Sequence, residues 1–223
     1  MIFNKILPEL SVSQIILGGG KMVNMKEEEA LTLINTALGL EVNAIDCHHR
    51  YGNCEELAGH SKGIMKMSKL STYNASEREM LISESLRKLG HIHIFWISDL
   101  DNEILYETGK KLYKELIDKF PVIGITTESP TLAIKFHEEF PQCQLFMLPL
   151  YKDNVKMKEI AKYLIAKGKK VFAIKPFDDG RMFSKYSVRE CLKFIKDINP
   201  TAVLIGTKNP RHLKECVEIY NKL

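Results

Sequence analysis

The sequence predicts an α/β protein of the (β/α)8 TIM-barrel class, a single domain over residues 1–223, and three observations carry that expectation. Short apolar runs, several rich in Ile and Val, alternate along the whole chain with longer stretches of helical spacing. There are about eight of each, which favours a closed barrel of parallel strands over an open doubly wound sheet. No linker-like or low-complexity stretch interrupts the series.

In order, the strand candidates are Gln14 to Leu17, Asn43 to Asp46, Lys69 to Thr72, His93 to Ile97, Val122 to Thr126, Leu145 to Leu148, Lys170 to Ile174 and Ala202 to Ile205. The helical candidates that follow them are Lys26 to Leu38, Glu55 to Ser61, Glu77 to Leu89, Glu103 to Lys119, Pro130 to Glu139, Met157 to Lys167, Val188 to Ile198 and Pro210 to Leu223. Ser129-Pro130 and Asn209-Pro210 read as N-caps followed by a first-turn proline, and Ser76 with Glu79 has capping-box spacing. Gly90 and Gly168 follow helix ends in the way a left-handed cap requires. Roughly 28 residues per unit leave little chain for long loops, so the site is expected in the short segments just after each strand.

Composition narrows the function classes. A net charge of +4 with lysines spread along the chain gives no nucleic-acid footprint. No apolar run approaches the length of a membrane span or a secretory signal. Five scattered cysteines without a CxxC pair suggest a reducing cytosol, so a cytoplasmic protein acting on a small molecule is expected, its oligomeric state left open. Cys47 and His49 lack a third metal ligand, and no metal is expected. Gly18 to Gly20 is not a GxGxxG fingerprint and marks a tight strand-to-helix turn.

The segment from Asn43 to Gly59 holds an acid at a strand end, Asp46, then Tyr51-Gly52, then Glu55 and Gly59. In this it resembles the aldo-keto reductase superfamily. Further pieces follow in barrel order: Leu31 to Leu38, Ser83 to Gly90, Val122 to Thr127, Ala173 to Gly180, and Leu204 to Glu215, the last resembling the superfamily's cofactor-phosphate segment. The resemblance implies a barrel, an NADP cofactor and a tyrosine that protonates a carbonyl oxygen while hydride reaches its carbon. It also implies a lysine, paired with the aspartate, that lowers the tyrosine's pKa, and a histidine that orients the carbonyl. The tyrosine needs that charge because a phenol of pKa near 10 is a sluggish acid or base at neutral pH.

Asp46 and Tyr51 match two of these four positions; Tyr73 stands after Ser71-Thr72 where the lysine is expected, and Ser98 where the histidine is. The cofactor positions fall on Thr127, Gln144, Ile174, Gly206, Thr207, His212, Glu215 and Cys216, of which only Gln144 and Glu215 keep the superfamily's residue type, and a local slip in the match would bring Phe177 under the nicotinamide ring. These changes weigh against NADP. Of the adjacent His48 and His49 at most one readily faces the site, and Lys175, at the seventh strand's end, is a candidate for the missing cation or for binding an anionic group. The expected catalytic set is therefore Asp46, Tyr51, His48 and Lys175. The leading expectation is acid/base chemistry of a lyase, dehydratase or isomerase. An NAD(P)H-dependent carbonyl reductase and a catalytically silent binding subunit are the alternatives.

Overall fold

In the computed structural model, which describes residues 1–120 and 122–223, eight parallel strands close into a barrel. A hairpin precedes it: β1 (Phe3–Leu7) and β2 (Leu10–Ser13) pair antiparallel. The barrel strands are β3 (Ile15–Gly18), β4 (Ala44–Asp46), β5 (Met65–Ser71), β6 (Ile94–Ser98), β7 (Ile123–Thr126), β8 (Leu145–Pro149), β9 (Lys170–Ile174) and β10 (Ala202–Gly206). They run in sequence order around the barrel, and β10 closes on β3. The helices are α1 (Glu27–Gly39), α2 (Cys54–Gly59), α3 (Arg78–Leu89), α4 (Glu103–Leu116), α5 (Pro130–Glu139), α6 (Val155–Ala166), α7 (Val188–Ile198) and α8 (Pro210–Asn221).

Because strand side chains alternate between faces, every second residue points into the barrel. Ile16, Ala44, Met67, Ile94, Trp96, Leu145, Met147, Phe172, Ala202 and Leu204 form that interior, and Ile6, Leu10 and Val12 of the hairpin close its N-terminal end. The other face packs against the helices in a second, larger cluster. The hairpin was not expected from the sequence. Its strands are short and only half apolar, but Asn4 ties it to the Thr201 carbonyl at 2.6 Å, and the Ile2 carbonyl accepts from Gln14.

Two details of the sequence reading need correction. The capping box at Ser76 does not form: Thr72–Glu77 winds into a 3-10 turn, and Glu77 precedes α3 without a side-chain cap. The strand expected from Lys69 begins four residues earlier, at Met65, so Lys69 lies inside β5. The polar residues that hide this strand have partners on its outer face. The Lys66 ammonium donates to the carbonyls of Gly59 and Leu89, and Ser68 donates to the buried Glu55 carboxylate, which also accepts from Ser85. The caps at Ser129 and Asn209 form as expected, and Gly90 and Gly168 end their helices at φ +74° and +79°.

The motif from Asp46 to Gly59 thus divides by role. Glu55 cross-links α2, β5 and α3. Gly59 is there for space, since a Cβ at that position would lie 1.9 Å from the Lys88 carbonyl oxygen. Only the first half of the motif reaches the barrel mouth.

Candidate active site

The inward positions of β4 and β5 rise through apolar residues and end in charge. After Ala44 comes Asp46, and after Met65 and Met67 comes Lys69. Asp46 is 3% and Lys69 6% exposed, and the Lys69 ammonium donates to Asp46 Oδ2. An isolated charge at this depth would be lost to neutralisation, whereas a hydrogen-bonded pair survives. Burial alone would lower the lysine's pKa, but Asp46 and Tyr51 outweigh it and hold the group above the ordinary lysine value, as ammonium. The thioether of Met147 on β8 lies 3.6 Å from Lys69 Nζ and walls its far side.

Tyr51 lies in the loop between β4 and α2, with its ring centroid 5.8 Å from the Lys69 ammonium. Lys69 is the strongest single influence on the phenol and lowers its pKa. Burial, with the negative charges of Asp46 and Asp99, outweighs it, so Tyr51 stays above the usual tyrosine value and remains protonated. Gly20 gives the ring its place: a Cβ there would stand 3.4 Å from Tyr51 Cζ.

His48 sits beside that ring at 5.2 Å between centroids. Its Nδ1 accepts from the Arg50 backbone N–H at 2.9 Å, so in the neutral ring the proton is assigned to Nε2, 3.4 Å from Ser98 Oγ. Burial, with the neighbouring His49 ring and the positive charges of Lys69 and Arg50, drives its pKa down to about 2, and the ring is uncharged. An imidazole absent from the end of β6 is therefore supplied to the same neighbourhood from the loop after β4. His49 turns elsewhere, with Nδ1 3.1 Å from the Lys69 carbonyl oxygen. Behind the loop the buried thiols of Cys47 and Cys54 lie 3.6 Å apart.

A cavity of about 490 Å³ opens over this corner, lined by Asp46, Tyr51, Lys69, Ile174, Phe177 and the backbone of Gly18, Gly20 and Gly206, among others. Lys21 and Lys175 line it too. Lys21 pairs across the mouth with Asp179 at 3.2 Å, and Lys175 pairs with Glu128. A second cavity of about 260 Å³ shares Phe177, Phe183 and Gly206 with the first and continues to Thr207, His212 and Glu215. Among the described residues, no group of three or more His, Cys, Asp and Glu side chains is arranged to hold a metal ion.

Of the residues the sequence nominates, the structure brings Asp46, Tyr51, His48, Lys175, Ile174, Phe177, Gly206, Thr207, His212, Glu215 and Cys216 to this end of the barrel as cavity lining or against it. Two are elsewhere. Gln144 precedes β8, at the end of the strand opposite the site, and its exposed amide donates to the Pro141 and Gln142 carbonyls; Met147 is the β8 residue that faces the site. Thr127 is buried, its hydroxyl donating to the Leu100 carbonyl at 2.7 Å and bracing two loops.

Lys175 is also corrected as a substitute cation. It lies one residue past β9 at φ +53°, bound to Glu128, while Lys69 supplies the charge beside Tyr51. The sequence reading missed Lys69 because it sought a lysine after the strand. The available signal was the alternation Met65, Met67, Lys69, which sets the lysine on the interior face.

No family model matches the chain, and no curated protein matches it. Solved structures share its fold. A Pseudomonas aeruginosa protein described as aldo-keto reductase PA4992 superposes with a TM-score of 0.82 at 20% identity, covering 99% of this chain and 95% of that one. The aldo-keto reductase AKR11C1 of Bacillus halodurans, in its holo form, gives 0.75 at 15% identity over 95% and 87%. An aldo/keto reductase of Brucella melitensis gives 0.72 at 16% identity over 99% and 92%. At these identities the likeness is one of fold.

Proposed function

We propose that the chain is a short, diverged member of the aldo-keto reductase superfamily that reduces the carbonyl group of a small molecule with a nicotinamide dinucleotide. The observation that carries this reading is the buried Lys69–Asp46 pair beside the Tyr51 ring. The expectation of lyase-type chemistry rested on the lack of an ammonium group there, and Lys69 removes that premise.

The cavity fits the dinucleotide on several counts. Asp46 Oδ1 is buried without a hydrogen-bond partner and offers an acceptor to a ribose hydroxyl. Lys21 and Lys175, both lining the cavity, would hold a pyrophosphate. Ile174 at the end of β9 gives an apolar surface for a planar ring, and the glycines at the ends of β3 and β10 leave backbone open to it. When bound, the nicotinamide supplies the hydride that reaches the carbonyl carbon.

The chain's residues handle the proton. Tyr51 donates its hydroxyl proton to the carbonyl oxygen as that oxygen gains negative charge. Lys69 stabilises the phenolate left behind, which is the energetic role a fixed ammonium in a dry site performs best. Asp46 keeps Lys69 charged and in position. His48, neutral with its proton on Nε2, is the neighbouring donor suited to orienting a carbonyl.

Reduced nicotinamide consumption on a panel of aldehydes and ketones tests the proposal. The wild type is expected to turn over, and Tyr51→Phe to lose about 10²- to 10⁴-fold in kcat while nucleotide affinity is retained. A wild type that binds either dinucleotide but reduces no carbonyl would overturn the proposal and favour the alternative of a catalytically silent binding subunit.

A further inference from the structure

Two of the five cysteines meet. Cys47 follows β4 and Cys54 opens α2, and the Cys54 thiol donates to Cys47 Sγ at 3.6 Å. Both are fully buried, and among the described residues no other two cysteines are in contact. Six residues separate them, and His48 and Tyr51 are among the six. The pair therefore spans the loop that carries the proton donor.

Room for the second sulfur comes from the turn after β3. A Cβ on Gly19 would stand 2.4 Å from Cys54 Sγ and 2.6 Å from the Asp46 carbonyl oxygen. Gly18 and Gly20, on either side of it, line the larger cavity, so a residue without a side chain separates that cavity from the sulfur. A reagent the size of water crosses such a wall on a small local opening, whereas a bulky disulfide does not.

From this contact we infer that Cys47 and Cys54 form a modification site for hydrogen peroxide, and that closing their disulfide inactivates the Tyr51 corner. The Cys54 sulfur, as thiolate, attacks one peroxide oxygen; the O–O bond breaks, and the departing hydroxide leaves as water with the proton the thiol released. The Cys47 sulfur then attacks the resulting Cys54 sulfenic acid, the S–O bond breaks, and a second water leaves with the Cys47 proton. The two thiols lose two electrons and two protons, and the peroxide takes both. The hydrogen-bonded Cys54 thiol, together with burial, holds the Cys47 thiol well above its usual pKa, so closure is slow at neutral pH and quickens as pH rises. The pair responds to sustained exposure, and a dithiol reductant reopens it.

The bond shortens the sulfur contact to about 2.05 Å. Cys47 yields little, since its amide donates to the Met67 carbonyl on β5 at 2.9 Å. The displacement falls on the start of α2, where the Cys54 amide holds the Tyr51 carbonyl at 3.1 Å, and on Gly52 at φ +58°. Tyr51 is drawn from its place beside Lys69, and a misplacement of about 1 Å costs on the order of 10²-fold in rate. The effect on turnover rests on the carbonyl-reductase reading of the site; the bond itself does not.

The test incubates the wild type with excess hydrogen peroxide for hours, alkylates the remaining thiols after unfolding, and reads tryptic peptides by mass. Trypsin cuts after Arg50, between the two cysteines, so the expected product is two peptides joined through Cys47 and Cys54, lighter by two hydrogens and separated by dithiothreitol. Carbonyl reduction is expected to fall at least about tenfold in step with the link, to return with dithiothreitol, and to survive peroxide in Cys54→Ser and Cys47→Ala. Cysteines 47 and 54 that stay alkylatable, or that gain oxygen without a bond between them, overturn the inference. So does a complete disulfide with undiminished activity. If the unoxidised wild type reduces no carbonyl, the reductase reading fails by itself and the peptide link alone decides this one. The wild-type masses decide even if either variant fails to fold.

Discussion

Two lysines stand at the same end of the barrel and live under different physics. Lys69 is inside β5, its side chain 7% exposed, and its partner Asp46 is 4% exposed. Lys175 is one residue beyond β9, its side chain 39% exposed, and its partner Glu128 is 56% exposed. The first pair sits in a dry interior, where charges interact strongly and neither partner can be left alone. The second is bathed in solvent, where such a pair contributes little and either partner can turn to another ligand. A buried pair suits a fixed field under a reacting phenol; an exposed pair suits capture and release of a charged ligand.

The sharpest way to break this contrast is Lys69→Met. It leaves the Asp46 carboxylate uncompensated in the interior and should cost about 3–5 kcal/mol of unfolding free energy, measured by urea titration. In whatever fraction remains folded, kcat for carbonyl reduction should fall by about 10²- to 10⁴-fold. A variant of wild-type stability and activity would show that the ammonium is not part of the machinery. Lys69→Met with Asp46→Leu should recover much of the stability and none of the activity, separating packing from chemistry.

A smaller effect lies between the two regions, at His48. Its folded pKa is lowered to about 2 while the unfolded ring titrates near 6.5, so below pH 6.5 the unfolded chain binds a proton that the folded chain refuses. The stability contributed by the neutral ring is present above pH 6.5 and is lost as pH falls, by about 2 kcal/mol between pH 7 and pH 5. His48→Gln should flatten that part of the stability profile. An unchanged acid slope would mean that His48 is protonated in the folded state.

The smallest effect is expected at Lys175→Met, which should change stability by less than about 1 kcal/mol. Its consequence belongs to ligand capture: the dissociation constant for the dinucleotide should rise and become less dependent on salt, with kcat nearly unchanged. A large fall in kcat at normal affinity would mean that Lys175 shares the role assigned to Lys69.

The fold was legible because periodicity is a property of many residues at once. Eight units of alternating run and helix survive an error of a few residues in any boundary, as β5 shows. The site was less legible because its chemistry depends on which face a single residue occupies. The apolar run starts only at Lys69, which makes that lysine look like a boundary residue, whereas Lys175 stands in plain view just after a cleaner run. Gln144 was misplaced for a similar reason: matching residue type along the chain carries no information about which end of a strand lies at the mouth. His48 could be nominated but not oriented, because its tautomer is set by the Arg50 amide, a contact made by loop geometry.

The single tryptophan of the chain, Trp96, is fully buried in the barrel interior, edge-on to Phe172, with its strand position directly opposite Lys69 across the β5–β6 pair. It is therefore a built-in optical gauge for one spot only. Its emission should be blue in the folded protein and red when the barrel opens, so the loss of tertiary order beneath the reactive corner can be followed by light without a label.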